Sequence, residues 1–157
     1  MSRTFSTKNS IELIREILKK TERQFDSALN KVKIITCEDG KCLAEVKVEE
    51  EHTNPMHSLH GGFSATAIDT ISSLALLTYN NKNYMMPSVS IDVHLSYLKG
   101  AVPGDELIIT AETVRAGKRI AYLKGAIKNK KTGDILVKAT HTKCYLENGP
   151  SFTELIK

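Results

Sequence analysis

The sequence predicts an α+β fold in which one antiparallel sheet wraps around one long, buried helix. The segment 61–79 is apolar around most of a helical circumference, and its narrow polar stripe is Thr66, Asp69, Thr70 and Ser73. Segments with a period-two alternation flank it on both sides, as expected of strands. The length of 157 residues suits one compact domain.

The chain is expected to begin with a helical extension over 1–30, before the main domain over 31–147. Asn9 or Ser10 is predicted to cap this helix. Its apolar stripe consists of Ile11, Ile14, Ile17 and Leu18. Residues 148–157, which contain Gly149 and Pro150, are predicted to form a loose tail.

Two strands are predicted before the buried helix and four after it. The alternation from Val32 to Val48 is interrupted by Asp39-Gly40, a typical hairpin turn. The later strands are predicted over 88–97, 105–115, 119–129 and 134–146. The uncovered face of such a sheet is tolerated when its strands are half polar, and contacts between subunits could cover part of it.

Composition excludes several classes of function. The net charge is +4, a mild basic excess that suits an anionic small ligand but is not specific for one. Clustered basic residues interleaved with aromatic ones are missing, so nucleic-acid binding is not predicted. No apolar run reaches the roughly 18 residues of a membrane span.

The cellular location is predicted from the cysteines and from the first ten residues. The three cysteines form no CxxC or CxxH spacing, which favours a reducing compartment over a disulfide framework or a zinc site. The segment 1–10 has no hydrophobic core of the secretory type and resembles a mitochondrial presequence only faintly. We expect a cytoplasmic protein, with the mitochondrion as a second location.

A pair of glycines, Gly61 and Gly62, begins the buried helix. The first N–H groups of a helix have no partner within it, and the helix dipole adds partial positive charge there. Such a helix start can stabilise a developing oxyanion. The alternative is that the glycines only permit a tight turn.

Asp69 lies two turns into the same helix, between apolar neighbours, so its carboxylate is expected to be desolvated. Burying a charge without a partner is costly, so Asp69 needs either a structural partner in the sheet or a chemical role. General base is the chemical role that a carboxylate in this position suggests.

The separation between Gly61 and Asp69 predicts a dimer. Eight residues along a helix span about 12 Å, so one reacting carbonyl cannot lie close to both. If both serve one site, Asp69 must come from a second chain, which requires a two-fold dimer with two equivalent sites.

A larger pattern resembles a known family. It comprises Asn54, His60-Gly61-Gly62, Asp69 and the strand segment 88–92. This string resembles the PaaI-like hotdog thioesterases, and the similarity extends over about 31–146. The resemblance implies the hotdog fold, a homodimer that assembles into a homotetramer, and hydrolysis of medium- to long-chain fatty acyl-CoA. It implies no metal and no cofactor, since CoA is part of the substrate.

The resemblance also implies roles for five residues. The Gly61 N–H and the Asn54 side chain would polarise the thioester carbonyl. Asp69 would activate or orient the attacking water, and Ser90 would help to position it. His60 would orient Asn54 or cap the loop rather than act as a base.

Two segments match the parts of the family that contact CoA, and both carry cations for its phosphates. The first segment is Tyr97, Leu98, Lys99, Gly100, Ala101 and Val102, and the second is Arg115, Ala116, Gly117, Lys118, Arg119 and Ile120. Cys144 occupies a position where a close relative has a histidine near the CoA. A solvated, charged hairpin is the alternative interpretation of 115–120.

Two other functions are compatible with these residues. A hotdog hydratase or dehydratase needs an acid and a base, commonly His with Asp or Glu, and the spacing of His60 and Asp69 does not obviously supply them. A non-catalytic acyl-CoA-binding regulator would keep the basic segments but would not need Asp69.

The remaining histidines are assigned structural roles. His94 and His141 lie in strand patterns and are expected to be paired or solvent-facing rather than catalytic. His52, His57 and His60 share one loop, but no carboxylate or cysteine completes a metal site with them.

Overall fold

A computed structural model describes residues 7–21, 24–80, 85–147 and 149–155. Its helices are α1 (Thr7–Thr21), α2 (Gly61–Leu77) and the short α3 (Phe152–Leu155). Its strands are β1 (Lys33–Glu38), β2 (Lys41–Lys47), β3 (Ser88–Tyr97), β4 (Glu106–Ala116), β5 (Ile120–Asn129) and β6 (Ile135–Tyr145). The predicted α+β class and the predicted order of elements are confirmed. No described helix is both long and apolar enough to cross a bilayer.

The six strands form one antiparallel sheet in the order β1-β2-β4-β5-β6-β3. After α2 the chain therefore crosses to the far side of the sheet, where β3 pairs only with β6. One long side of β3 is left at the edge of the sheet. This edge carries exposed apolar side chains, since Val89 is 49% and Ile91 56% exposed.

α2 packs on one face of the sheet and supplies much of the core, as its apolar character predicts. Ile68 and Ile71 are fully buried in this layer. The helix approaches the sheet closely at Gly125 of β5, where an added Cβ would lie 3.0 Å from Ile68 Cδ1 and 3.3 Å from the Thr110 carbonyl oxygen. A side chain at position 125 would therefore occupy the space that Ile68 fills.

The apolar stripe of α1 packs as predicted, with Ile14 and Ile17 buried against the body of the protein. The predicted cap is wrong, because the helix begins at Thr7 and both Asn9 and Ser10 lie inside it. Cap signals locate a helix start only to within about a turn. The domain boundaries stay predictions, although Phe152 of the tail donates its N–H to the Met85 carbonyl at 2.9 Å and packs against the core.

A β-bulge in β3 breaks the regular alternation that the sequence predicts for this strand. The register with β6 shifts between Ser90 and Asp92. Ser90 therefore stands opposite Lys143, and Val93 stands opposite His141, on the face that α2 covers. Bulges re-aim side chains in this way, and this one turns the Ser90 hydroxyl towards the helix.

Candidate active site

The start of α2 is built by His60 and two glycines. His60 is the N-cap residue, and its Nδ1 accepts the Gly62 N–H at 2.8 Å. Gly61 is the first helical residue, so its N–H has no acceptor within the helix. The Tyr97 hydroxyl donates to the Gly61 carbonyl at 3.0 Å, and a Cβ at Gly61 would lie 3.3 Å from the Tyr97 ring. Of the two roles considered for His60, the structure shows the capping contact.

Asn54 lies in the loop before α2, and its side-chain oxygen is already engaged. This oxygen accepts the Met56 N–H at 2.9 Å and the Ser58 N–H at 3.3 Å. The amide orientation is thereby fixed, and the NH₂ group is left as the donor. This is the orientation that polarisation of a carbonyl group would require.

The three loop histidines have separate partners. His52 is buried, stacks on Phe63 with ring centroids 4.6 Å apart, and accepts the Glu49 N–H at its Nδ1. His57 pairs with Glu50 at 2.9 Å on the surface. In the part of the chain that the structure describes, no group of three or more His, Cys, Asp or Glu is placed to hold a metal ion.

Asp69 lies at the centre of a polar cluster formed with β3 and β6. Its Oδ1 accepts from the Ser90 hydroxyl at 3.2 Å and lies 3.5 Å from His141 Nε2 and 4.0 Å from Lys143 Nζ. The expectation of a desolvated carboxylate is wrong for the single chain, because the Asp69 side chain is 51% exposed. Contacts with the sheet therefore leave about half of the Asp69 side chain exposed.

His141 is part of this cluster and is almost fully buried, with 1% of its side chain exposed. Its Nε2 lies 2.8 Å from the Ser90 hydroxyl and its Nδ1 lies 2.7 Å from the Ser72 hydroxyl. Burial and the neighbouring Lys143 lower the pKa of His141 to about 4, so the ring is neutral near pH 7. The Ser90 hydroxyl donates to Asp69 and can accept a proton on Nε2, whereas the Ser72 hydroxyl donates to the Ile68 carbonyl at 2.6 Å and can accept one on Nδ1.

Lys143 places a cation beside the same groups. Its ammonium donates to the Ser73 hydroxyl at 2.8 Å and to the Ser90 hydroxyl at 3.3 Å. Burial lowers the pKa of Lys143, although Asp69 partly opposes this effect. Ser90 thus has three charged or polar neighbours, which fix the position of its hydroxyl.

The sequence interpretation missed His141 and Lys143 as site residues, although His141 is paired as expected. Both lie on the face of β6 that also carries Val137 and Ala139, which point into the core. The sequence therefore contained a pattern that indicates these two residues, because they continue a buried face of β6 that is otherwise apolar. A buried polar pair of this kind needs partners, and Asp69 and Ser90 are the two groups that lie near both of its members.

The predicted CoA segments lie at opposite ends of β3 in one chain. Tyr97 ends β3 beside Gly61, whereas Ile120 and Cys144 stand opposite each other near Val89. Several of their side chains already have partners. Lys99 pairs with Asp134 at 2.6 Å, Arg119 pairs with Glu147 at 3.1 Å, and Ala101 is buried.

Comparison with known proteins identifies the family. The family model described as thioesterase superfamily matches residues 56–136. This chain belongs to the thioesterase superfamily. It is 38% identical over 132 residues to acyl-coenzyme A thioesterase 13 of Homo sapiens, a match that covers 83% of this chain and 92% of the relative.

Solved structures of this superfamily share the fold. Zebrafish thioesterase superfamily member 2 superposes with a TM-score of 0.78 at 33% identity, covering 83% of this chain and 94% of that one. A hypothetical thioesterase from Streptococcus pneumoniae, solved with coenzyme A, gives 0.73 at 26% identity, covering 82% and 96%. The predicted hotdog fold and the predicted enzyme class, a thioesterase, are confirmed.

Proposed function

We propose that this thioesterase hydrolyses medium- to long-chain fatty acyl-CoA to a free fatty acid and CoA, without a metal or cofactor. The observation that carries the proposal is the arrangement along α2. Its first residue, Gly61, offers an N–H that has no acceptor within the helix, and Asp69, eight residues further along, contacts Ser90. The names of the relatives support acyl-CoA as the substrate.

The thioester carbonyl binds at the start of α2. The Gly61 N–H and the Asn54 amide donate to its oxygen, and the helix dipole favours the negative charge that develops there. His60 holds the cap of the helix, and Tyr97 holds the Gly61 carbonyl, so the N–H direction is fixed before the substrate arrives.

Asp69 and Ser90 bind the attacking water. The water oxygen adds to the carbonyl carbon while Asp69 takes its proton, and the oxyanion forms against Gly61 and Asn54. The carbon–sulfur bond then breaks, and CoA leaves as a thiolate that takes up a proton. A thioester is activated enough that no protein nucleophile is needed, and His141 and Lys143 act only by holding Ser90 and Asp69 in place.

A dimer joins the two halves of each site. Ser90 and Tyr97 are seven residues apart on β3, or about 23 Å at the spacing of a strand. When two copies pair antiparallel through the open edge of β3, the Ser90 end of one copy lies near the Tyr97 end of the other. The apolar edge at Val89 and Ile91 and the half-exposed Asp69 support this arrangement.

A homotetramer is proposed to form from two such dimers. The helix-free face of the sheet carries a cleft of about 680 Å³ that contains none of the predicted site residues. Small and polar side chains line it, among them Thr110 and Ala126. This face is available for a contact between dimers without blocking the site.

A second cleft offers a place for the acyl chain. It measures about 360 Å³, and Asp69, Ser90 and Lys143 are among the polar residues that line it. Its apolar lining comes from α1, α2, β3 and α3, and consists of Ile17, Leu18, Leu74, Leu77, Val89 and Phe152. An acyl chain entering from the reacting carbon would bury its methylenes there. The cations of Tyr97–Val102 and Arg115–Ile120 would contact the CoA phosphates.

The proposal is tested by incubating the purified protein with acyl-CoA of increasing chain length, from acetyl to palmitoyl, and measuring free CoA with a thiol-reactive dye. We expect CoA release that is fastest with medium or long chains. If the protein binds acyl-CoA tightly in calorimetry but releases no CoA from any chain length, it is a binding regulator and the proposed activity is wrong.

One observation favours the hydratase alternative, since His141 and Asp69 lie 3.5 Å apart and form a His–carboxylate pair. However, both ring nitrogens of His141 have hydroxyl partners, Ser72 and Ser90, and the ring is buried away from any substrate. Loss of enoyl absorbance on incubation with a trans-2-enoyl-CoA would reveal this activity. We expect none.

A further inference from the structure

The hairpin between β1 and β2 has a tightly defined turn. Asp39 and Gly40 have φ angles of 46° and 75°. Two successive positive φ values define a two-residue type I′ turn, which fixes the register of the flanking strands. Two hydrogen bonds to residues outside the hairpin also stabilise the turn. The Gly40 N–H donates to the Thr78 hydroxyl at 3.2 Å, and the Gly40 carbonyl accepts the Thr113 N–H at 2.7 Å.

This register places two cysteines directly opposite each other. Glu38 pairs with Lys41 next to the turn, and Cys37 pairs with Cys42 one step further on. Directly opposed residues alternate between hydrogen-bonded and non-hydrogen-bonded pairs, and the pair that flanks a two-residue turn is the bonded one. Cys37 and Cys42 are therefore a non-hydrogen-bonded pair, whose Cα atoms lie about 4.5 Å apart with both side chains on one face.

The two thiols contact each other inside the protein. Cys37 is 2% and Cys42 3% exposed, and their thiols hydrogen-bond to each other. That bond and burial raise the pKa of the Cys37 thiol, so Cys37 rests in the protonated form. A disulfide needs Cα atoms about 4.4–6.8 Å apart, a range that the pair meets without movement of the strands.

We propose that Cys37 and Cys42 form a reversible intrachain disulfide when the protein meets a small peroxide. One thiolate attacks a peroxide oxygen and becomes a sulfenic acid, releasing hydroxide. The second thiolate then attacks the sulfenic sulfur, forms the S–S bond and releases a second hydroxide. The two thiol protons convert both hydroxides to water, and two electrons pass from the cysteines to the peroxide. A dithiol reductant reverses the reaction.

Cys144 provides an internal comparison. It is the remaining cysteine of the chain and lies in β6, opposite Val89 and Ile120, where it has no cysteine as a cross-strand neighbour. Its thiol donates to the Tyr145 carbonyl at 3.5 Å. Peroxide can oxidise Cys144, but within one chain it cannot give a disulfide from the folded state.

Trypsin allows a direct test, because cleavage after Lys33, Lys41 and Lys47 places the two cysteines on separate peptides, 34–41 and 42–47. The folded protein is treated with hydrogen peroxide, its remaining thiols are blocked with N-ethylmaleimide after denaturation, and the digest is analysed by mass spectrometry. We expect peptides 34–41 and 42–47 to be joined, with two hydrogen atoms lost, while Cys144 is blocked or oxidised alone. Dithiothreitol should release the two peptides.

Matched variants separate the pair from Cys144. Cys144→Ser should leave the joined peptides unchanged, and Cys37→Ser should abolish them. Thermal unfolding gives a second measurement, because closing this loop should raise the Tm of the peroxide-treated wild type by about 2–6 °C and leave Cys37→Ser unchanged. Peroxide that oxidises Cys37 and Cys42 to sulfinic acids, or that joins chains through them, with no joined 34–41 and 42–47 peptides would overturn the proposal.

Discussion

The two ends of the Gly61–Asp69 segment of α2 are built in different ways. At Gly61 the useful group is a backbone N–H, which does not titrate and which a local sequence motif sets in place. At Asp69 the useful groups are ionisable side chains that meet from α2, β3 and β6. The first end depends on local geometry, whereas the second depends on tertiary packing. Variants at the two ends should therefore fail for different reasons.

The largest effect on kcat is expected from a substitution of Asp69. Asp69→Asn keeps the shape of the side chain and its hydrogen bond to Ser90 but cannot take a proton from water. We expect kcat to fall by about two to four orders of magnitude, while acyl-CoA still binds in calorimetry. Turnover close to that of the wild type would mean that Asp69 is not the base.

The second prediction tests whether each site combines Asn54 and Gly61 of one chain with Asp69 of the other. Asn54→Asp retains the oxygen that accepts the Met56 and Ser58 N–H groups but loses the NH₂ donor. Homodimers of Asn54→Asp and homodimers of Asp69→Asn should each be nearly inactive. A mixed dimer of these variants, purified through two different tags, contains one intact site and one site with both changes. It should have about half the wild-type activity, and no recovery would show that both ends act within one chain.

Stability against pH gives a third test, aimed at His141. Its pKa in the folded protein is lowered from 6.5 to about 4, so the unfolded chain binds more protons between these values. The stability that neutral His141 contributes is complete above pH 6.5 and is lost as the pH falls towards 4. Between pH 7.5 and 4.5 the wild type should lose about 1–3 kcal/mol more unfolding free energy than His141→Gln. Urea unfolding at both pH values measures this, and equal losses would contradict it.

The smallest effect on catalysis is expected from a change in the apolar lining of the acyl cleft. Phe152→Ala removes a large side chain from the lining of this cleft. We expect the ratio of kcat/KM for palmitoyl-CoA to that for decanoyl-CoA to rise roughly 3- to 10-fold. Phe25→Ala is the control, because Phe25 is 82% exposed and lies outside the cleft. The same change in both variants would exclude Phe152 as a determinant of chain length.

The sequence predicted the features that local patterns determine. Gly61-Gly62 marked the start of α2, Asp39-Gly40 marked the first hairpin, and alternation marked the strands. The position of Asp69 on the helix was also predicted. Its exposure was not, because burial depends on what the rest of the chain places beside a residue, and in the single chain 51% of the Asp69 side chain is exposed.

The polar cluster could be predicted only in part, for a related reason. Ser90 was identified through the family resemblance, but its direction depends on a bulge that simple alternation does not show. His141 was placed on a strand and expected to be paired or solvent-facing, and Lys143 fell within the predicted strand 134–146 without an assigned role. Their burial follows from the face of β6 on which they lie, so following that face residue by residue would have shown two ionisable groups pointing at the helix.

Gly125 is not one of the predicted site residues, yet it sets how closely α2 approaches the sheet. Ile68 fills the space that a side chain at position 125 would take. A methyl group there would force Ile68 to give way by a few tenths of an ångström, and any shift of α2 would carry Gly61 and Asp69 with it. Since Ser90, His141 and Lys143 belong to the sheet, a substitution that touches no substrate would then change the distance from Asp69 to these side chains.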